Sequence, residues 1–239
     1  MLKRAALIVL VCAMSVAGGI AWAKPPDGAY LDGGTSKVGV ILVHGRFARG
    51  NARSPVVNPL RLAIHKQLGY HTLSLNYPEP RITRSAPEGV VNFPAAFQRF
   101  TAAITFLARE KGVTQIYIMG HSLGTQLTTA YLSRSPAPGL RGYIGIAIYG
   151  GGECQKGTAY SLSSYCNIKT ILQKNPHLPV IDVVAGDDET DVGFADERAE
   201  LVSTHYRQVR IDGADHLFVR KEDEMINAVI EWLAQQQAK

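Results

Sequence analysis

The stretch that decides the fold is residues 115–133, QIYIMGHSLGTQLTTAYLS. Its first five residues have the apolar, partly β-branched composition of a buried strand, and the residues from 123 onward have that of a helix. Between them GHSLG, residues 120–124, fits the pattern G-x-S-x-G. A serine at the centre of this sharp turn projects its hydroxyl, while the glycines let strand and helix approach. The alternative is a merely glycine-rich turn, but the flanking elements favour a nucleophile at Ser122.

The rest of the chain alternates strand-like and helix-like segments around this turn. Further strands are predicted at residues 38–43, 70–75, 143–149, 180–185 and 206–211, and helices at residues 57–68, around 97–107, 123–133 and near the C-terminus. Parallel strands need covering crossovers, so this order predicts one α/β domain, a mostly parallel sheet of about six strands with helices on both faces. Functional residues should then follow the carboxyl ends of the strands.

A serine nucleophile needs a base, and position along the chain selects among the seven histidines. His216 alone follows a late strand at its carboxyl end, so we predict it to be the general base. His44 and His121 also lie near the predicted site, and both are interpreted as structural. The others fall in a helix or at the opposite edge of the sheet: His65, His71, His177 and His205.

The acid that orients this histidine should follow the fifth strand, where acidic residues cluster after Gly186. The competing interpretation is a calcium loop, because Asp187, Glu189 and Asp191 alternate. The remainder of a twelve-residue calcium-binding pattern is absent from the sequence, so a catalytic carboxylate is favoured.

Taken together, the chain from residue 38 onward resembles the α/β-hydrolase superfamily, and in particular its small exported proteobacterial serine hydrolase-like members. The resemblance rests on His44-Gly45 after the first strand, the Ser122 turn, an acid after Gly186, and Asp215-His216. It implies a Ser–His–acid triad. It also implies an oxyanion hole in which the Leu123 N–H is joined by the N–H of Arg46 or Phe47.

The position of the acid departs from the family pattern. Family members usually place it three residues after the glycine, which here gives Glu189. A turn shorter by one residue gives Asp188, whose side chain is the commoner orienting group. Asp188 is slightly favoured, and both residues remain candidates.

These roles predict an enzyme that cleaves a carboxylic ester, thioester or amide of a small molecule through an acyl-enzyme on Ser122. The mechanism needs no cofactor and no metal. An acyltransferase would use the same triad, with an alcohol or amine in place of water. The alternative from another class is an exported binding or accessory protein that keeps the fold without turnover.

The N-terminal residues are predicted to be a signal peptide, residues 1–23, leaving a domain of residues 24–239. Lys3 and Arg4 precede an apolar run, and Ala21 and Ala23 are the small residues before a cleavage site. Export predicts a periplasmic or secreted protein. No later stretch is apolar enough to span a membrane. The net charge of +5 rests partly on this segment, so we do not predict nucleic-acid binding.

Export also leaves one cysteine pair, Cys154 and Cys166, for which a disulfide is predicted, with two free buried thiols as the alternative. Both lie in a candidate cap at about residues 151–178, between the fourth and fifth strands. A cap of this size would leave a fairly open pocket for a short or medium acyl group.

Five arginines follow the first two strands, at the edge of the sheet where the site is expected. They would recruit an anionic substrate, since guanidinium groups pair well with carboxylates. The favoured alternative is that they are solvated or pair with the acidic residues 187–191. The five are Arg46, Arg49, Arg53, Arg81 and Arg84.

Overall fold

The computed structural model describes residues 25–46, 52–77, 93–134, 137–150 and 163–238, and the backbone of residues 81–83 and 86–90. The strands in these residues are β1 (Gly28–Leu31), β2 (Val38–Val43), β3 (His71–Leu75), β4 (Arg81–Thr83), β5 (Ala86–Val90), β6 (Gln115–His121), β7 (Leu140–Ile146), β8 (Val180–Ala185) and β9 (Tyr206–Ile211). The helices are α1 (Val57–Leu68), α2 (Phe93–Thr105), α3 (Leu123–Arg134), α4 (Ser164–Lys174), α5 (Glu189–Glu197) and α6 (Glu222–Gln237).

Seven of these strands form one sheet in the order β1-β3-β2-β6-β7-β8-β9. Every neighbouring pair is parallel except β1 with β3, which is antiparallel. Strands β4 and β5 form a separate antiparallel hairpin. Since β6 lies in the middle of the sheet, the turn at its carboxyl end is flanked by the ends of β2 and β7.

The sheet is buried on both faces, which explains its continuous apolar strands. Along β2, Ile41 and Val43 pack into one hydrophobic cluster, while Val40 and Leu42 pack into the other. Helices α2, α3 and α4 cover the first face, and α1 and α6 cover the second. The predicted α/β class, with helices on both faces, is confirmed.

Two details differ from the sequence-based prediction. The sheet has seven strands rather than about six, because Gly28–Leu31 adds an antiparallel edge strand. The fourth predicted strand begins and ends three residues early, as β7, because Ala147 leaves the extended conformation with a φ of 45°.

The segment predicted as a cap is described only in part. Helix α4 packs on the core through Ile168 and Ile171, whereas residues 151–162, with Cys154, lie outside the described residues. The predicted signal peptide also lies outside them. Among the helices that are described, none has the length and apolar character needed to cross a membrane.

Candidate active site

Ser122 lies at the tip of the turn between β6 and α3, which we call the elbow (residues 120–124). Its φ of 51° is a left-handed conformation that non-glycine residues rarely adopt. The turn also depends on its glycines: a Cβ on Gly120 would lie 2.8 Å from the Gly124 carbonyl oxygen, and one on Gly124 would lie 2.5 Å from the Val43 oxygen. Any larger residue at these positions would push the strand and helix apart.

His216 reaches the elbow from the loop after β9. Its Nε2 lies 2.8 Å from Ser122 Oγ, and its backbone carbonyl is 3.1 Å from His121 Nε2. A carbonyl oxygen only accepts, so His121 donates from Nε2. Burial lowers the pKa of His121 to about 4, which keeps this ring neutral. His121 therefore has the predicted structural role, holding the loop that carries His216.

The carboxylate that meets His216 belongs to Asp188. Its Oδ2 lies 2.7 Å from His216 Nδ1, while Oδ1 accepts from the backbone N–H groups of Thr190 at 3.0 Å and Asp191 at 3.2 Å. Asp188 is thus also the N-cap of α5. Glu189 is the first residue of that helix and is exposed, so of the two candidates the structure brings Asp188 to the histidine.

The order of these contacts defines the direction of proton transfer. Asp188 already accepts hydrogen bonds from two backbone N–H groups at Oδ1, and a carboxylate only accepts hydrogen bonds. His216 therefore carries its proton on Nδ1, which leaves Nε2 free to accept the proton of the Ser122 hydroxyl. The arrangement can activate Ser122 as a nucleophile.

The loop after β2 passes directly over the elbow. A Cβ on Gly45 would lie 3.1 Å from Ser122 Cβ and 3.0 Å from His121 Nδ1, so this position also requires close backbone approach. Arg46 follows, and Leu123 begins α3 on the other side of Ser122. Phe47, the alternative to Arg46 in the predicted oxyanion hole, lies outside the described residues.

Tyr77 supports this loop, and sequence analysis did not identify it. Its ring stacks on His44 with a centroid separation of 4.0 Å, and its hydroxyl donates to the His44 carbonyl. His44 Nδ1 in turn lies 2.8 Å from the Gly45 oxygen. Its position could have identified it, since Tyr77 lies two residues after the neighbouring strand β3, at the same edge of the sheet.

A cavity of about 550 Å³ opens beside the elbow. A depression of about 690 Å³ between α2 and α3 is larger but contains neither Ser122 nor His216. Chemistry rather than size therefore identifies the site. The smaller cavity is lined by Gly45, Arg46, Ser54, Pro55, His121, Ser122, Leu123, Tyr149, His216 and Leu217.

One wall of this cavity is held by a strained turn. Val56 has φ 67° and ψ −58°, and the Val57 N–H donates to the Pro55 oxygen over 2.8 Å, which makes Val56 the centre of a γ-turn. A β-branched residue in this conformation is a clear outlier. The turn presents Ser54 and Pro55 to the cavity, and nothing in the sequence pattern indicated it.

The remaining predicted residues are only partly described. Arg46 lines the cavity and Arg53 is exposed, whereas Arg49, Arg84 and the side chain of Arg81 lie outside the described residues. Cys166 in α4 is disulfide-bonded, and its pairing with Cys154 stays a prediction.

The acidic residues 187–191 do not converge as ligands of a cation. Asp191 is buried and accepts from the Ala185 N–H, Asp188 faces His216, and Asp187 accepts from the Gly213 N–H. In the described part of the chain, no group of three or more His, Cys, Asp or Glu side chains could hold a metal ion.

Comparisons with known proteins support the fold described above. Residues 39–148 match the model of the alpha/beta hydrolase fold. The chain has the α/β-hydrolase fold. No curated protein matches the sequence significantly.

Several solved structures share the α/β-hydrolase fold of this chain. A dienelactone hydrolase from Anabaena variabilis is 17% identical, with a TM-score of 0.60 and 88% of each chain covered. Est1E from Butyrivibrio proteoclasticus, with ferulic acid bound, is 15% identical with a TM-score of 0.61, covering 88% of this chain and 95% of Est1E. A lidless serine hydrolase from Xanthomonas campestris is 16% identical with a TM-score of 0.58, covering 88% and 86%. At these identities the likeness shows the fold alone.

Proposed function

We propose that this α/β-hydrolase cleaves carboxylic esters through an acyl-enzyme on Ser122. The observation that carries the proposal is the continuous chain of hydrogen bonds from Ser122 Oγ to His216 Nε2, at 2.8 Å, and from His216 Nδ1 to Asp188 Oδ2, at 2.7 Å. These distances fall within the reach required of a nucleophile, a base and its orienting group.

The reaction follows from these contacts. As Ser122 Oγ attacks the acyl carbonyl, His216 takes its proton at Nε2, and Asp188 stabilises the resulting imidazolium. The N–H groups of Leu123 and Arg46 would donate to the oxyanion, each contributing on the order of 3 kcal/mol to transition-state stabilisation. His216 then protonates the leaving alcohol, and water, activated by the same base, releases the acid and regenerates Ser122.

The cavity supports an ester with a short or medium acyl group. Its volume of about 550 Å³ lies in the range of small-molecule sites. Tyr149 and Leu217 contribute apolar surface to its walls, and both are partly exposed at its mouth. The bound ferulic acid of Est1E suggests one aromatic acyl group to include among the trial substrates.

Active-site labelling tests the proposal. Wild type, Ser122→Ala and the control Ser133→Ala are treated with a fluorophosphonate and assayed with p-nitrophenyl esters of graded chain length and with methyl ferulate. Ser133 lies in the last turn of α3, where its hydroxyl is 3.0 Å from the Ala130 oxygen, so its loss should leave the site intact. We expect labelling and turnover in wild type and Ser133→Ala, and loss of labelling with a roughly 10⁴-fold or greater drop in kcat in Ser122→Ala.

Two results would contradict the proposal. A folded wild type that is not labelled would remove Ser122 as a nucleophile. Labelling without hydrolysis of any ester would still support Ser122 as a nucleophile. It would mean that the substrate is another kind of acyl compound and not an ester.

The predicted export is part of the same proposal. We propose that the enzyme acts outside the cytoplasm after cleavage following Ala23, because the apolar run and the small residues before that position have the pattern of a signal peptide. The mass of the protein recovered from the periplasm or medium of an expressing cell would test this, since an intact N-terminus on cytoplasmic protein contradicts it.

A further inference from the structure

A second carboxylate fastens the loop that carries Asp188. This loop, residues 185–191, connects β8 to α5 and is called the acid loop. Asp191 is in the first turn of the helix, and its Oδ2 accepts from the Ala185 N–H over 2.7 Å at the end of the strand. One side chain therefore joins the two ends of the acid loop, and Asp188 lies between them.

Two hydrogen bonds of Asp191 help to fix the position of Asp188. The Asp191 side chain binds the end of the strand, while its backbone N–H donates to Asp188 Oδ1 over 3.2 Å. A shift of Asp191 would therefore move a hydrogen-bond donor of Asp188. The other oxygen of Asp188, which meets His216, would move with it.

Asp191 is held in an unusual environment for a carboxylate. The residue is 3% exposed, and its Oδ1 has no hydrogen-bond partner among the residues the structure describes. The charged groups that act on it are Asp182 from β8, Arg198 after α5, and Asp188. Burial, more than these charges, raises the pKa of Asp191 to about 7. Burying a carboxyl group costs free energy, which favours a specific role for Asp191 in the structure or function of the protein.

We propose that Asp191 is a positioning residue of the active site, which sets the place of Asp188 by tying the first turn of α5 to the end of β8. The kinetic effects expected from this inference rest on the proposed function, whereas the effect on the position of Asp188 does not. It predicts that the hydrogen bond between Asp188 and His216 depends on an acceptor at position 191 and not on a charge there.

Three variants separate the acceptor from the charge. Asp191→Asn keeps an oxygen that can accept from Ala185 and removes the charge, whereas Asp191→Ala removes both. The control, Asp196→Asn, removes a charge from the exposed face of the same helix, where Asp196 pairs with Arg210 over 2.8 Å. If Asp191→Ala does not fold, Asp191→Ser replaces it, because its shorter side chain does not reach the Ala185 N–H.

The first readout is steady-state kinetics with a p-nitrophenyl ester. We expect Asp191→Ala to lower kcat by roughly 10- to 100-fold, since small displacements of catalytic groups have effects of this size. KM should stay within about twofold because Asp191 is buried away from the substrate cavity. Asp191→Asn should retain kcat within about threefold.

The second readout does not need turnover. The proton on His216 Nδ1 should give a downfield NMR resonance, because it lies in a short bond to Asp188. We expect this resonance in wild type, Asp191→Asn and Asp196→Asn, and its loss or upfield movement in Asp191→Ala. If wild type shows the resonance without ester turnover, the proposed function fails and the positioning role can still be judged from this pattern.

The inference is overturned if Asp191→Ala keeps both the resonance and the wild-type kcat. It is equally overturned if Asp191→Asn loses kcat and the resonance as fully as Asp191→Ala does, because the charge and not the acceptor would then be required.

Discussion

The elbow and the acid loop are both turns from a parallel strand into a helix, and each presents one side chain within hydrogen-bond distance of His216. They achieve this by different means. In the elbow the backbone itself imposes the geometry, through a φ of 51° at Ser122 and two glycines that admit no side chain. In the acid loop three neighbouring aspartates take separate tasks: Asp187 binds the Gly213 N–H, Asp188 faces His216, and Asp191 closes the loop.

This difference determines what can be inferred from sequence. Backbone constraints leave a signature in residue types, because few residues other than glycine tolerate close approach. Side-chain partnerships among identical residues leave no such signature, since each aspartate could in principle take any of the three roles.

The largest expected effect separates the two candidate acids. Asp188→Asn should lower kcat on the order of 10⁴-fold, because an amide no longer selects the correct tautomer of His216. Glu189→Gln should stay within about twofold, since Glu189 is exposed at the start of α5. Ester hydrolysis by the two purified variants measures both. The assignment of Asp188 is wrong if Glu189→Gln shows the larger loss.

The next effect compares a glycine of the elbow with a glycine in the helix that follows the acid loop. Gly124→Ala should reduce the free energy of unfolding by about 3 kcal/mol and abolish labelling of Ser122, because its Cβ would lie 2.5 Å from the Val43 oxygen. Gly193→Ala, inside α5, meets no atom within 4 Å and should stabilise the protein by roughly 0.5–1 kcal/mol. Urea unfolding of both variants gives the comparison. Equal destabilisation would mean that the elbow has no special steric requirement.

The fold was largely predictable because most of its strands are buried on both faces. Strands β2, β8 and β9 and helix α1 have the predicted bounds, since apolar runs end at clear polar or glycine positions. The edge strand β1 could not be predicted. It is four residues long, only its Ala29 is fully buried, and its pairing with β3 is a long-range contact without a local pattern.

The residues of the candidate site could be predicted where their order along the chain leaves few alternatives. Ser122 is set by the glycines, and His216 is the histidine that follows a late strand at the correct edge. The choice between Asp188 and Glu189 depends on whether the loop before α5 is one residue shorter or longer. The sequence does not show where α5 begins, whereas the structure shows that Asp188 is its N-cap. The burial of Asp191 was not predictable, because a run of acidic residues normally lies on the surface.

The smallest expected effect concerns the pH dependence of stability, where the acid loop should differ from the elbow. Burial raises the pKa of Asp191 to about 7 in the folded state, against an ordinary aspartate value of 3.8. The folded protein therefore binds this proton more tightly than the unfolded chain does. The stability associated with neutral Asp191 is complete below about pH 4 and is lost as the pH rises toward about 7.

Asp191→Asn cannot ionise and should lack this loss. The free energy of unfolding of wild type, relative to Asp191→Asn, should fall by on the order of 2 to 4 kcal/mol between pH 4 and pH 8. Urea unfolding of both proteins across this range measures the difference, with Asp196→Asn as the control that should follow wild type. A difference that does not change with pH would show that Asp191 ionises normally. The conformation of the acid loop would then, like that of the elbow, contribute to stability in a way that does not depend on protonation.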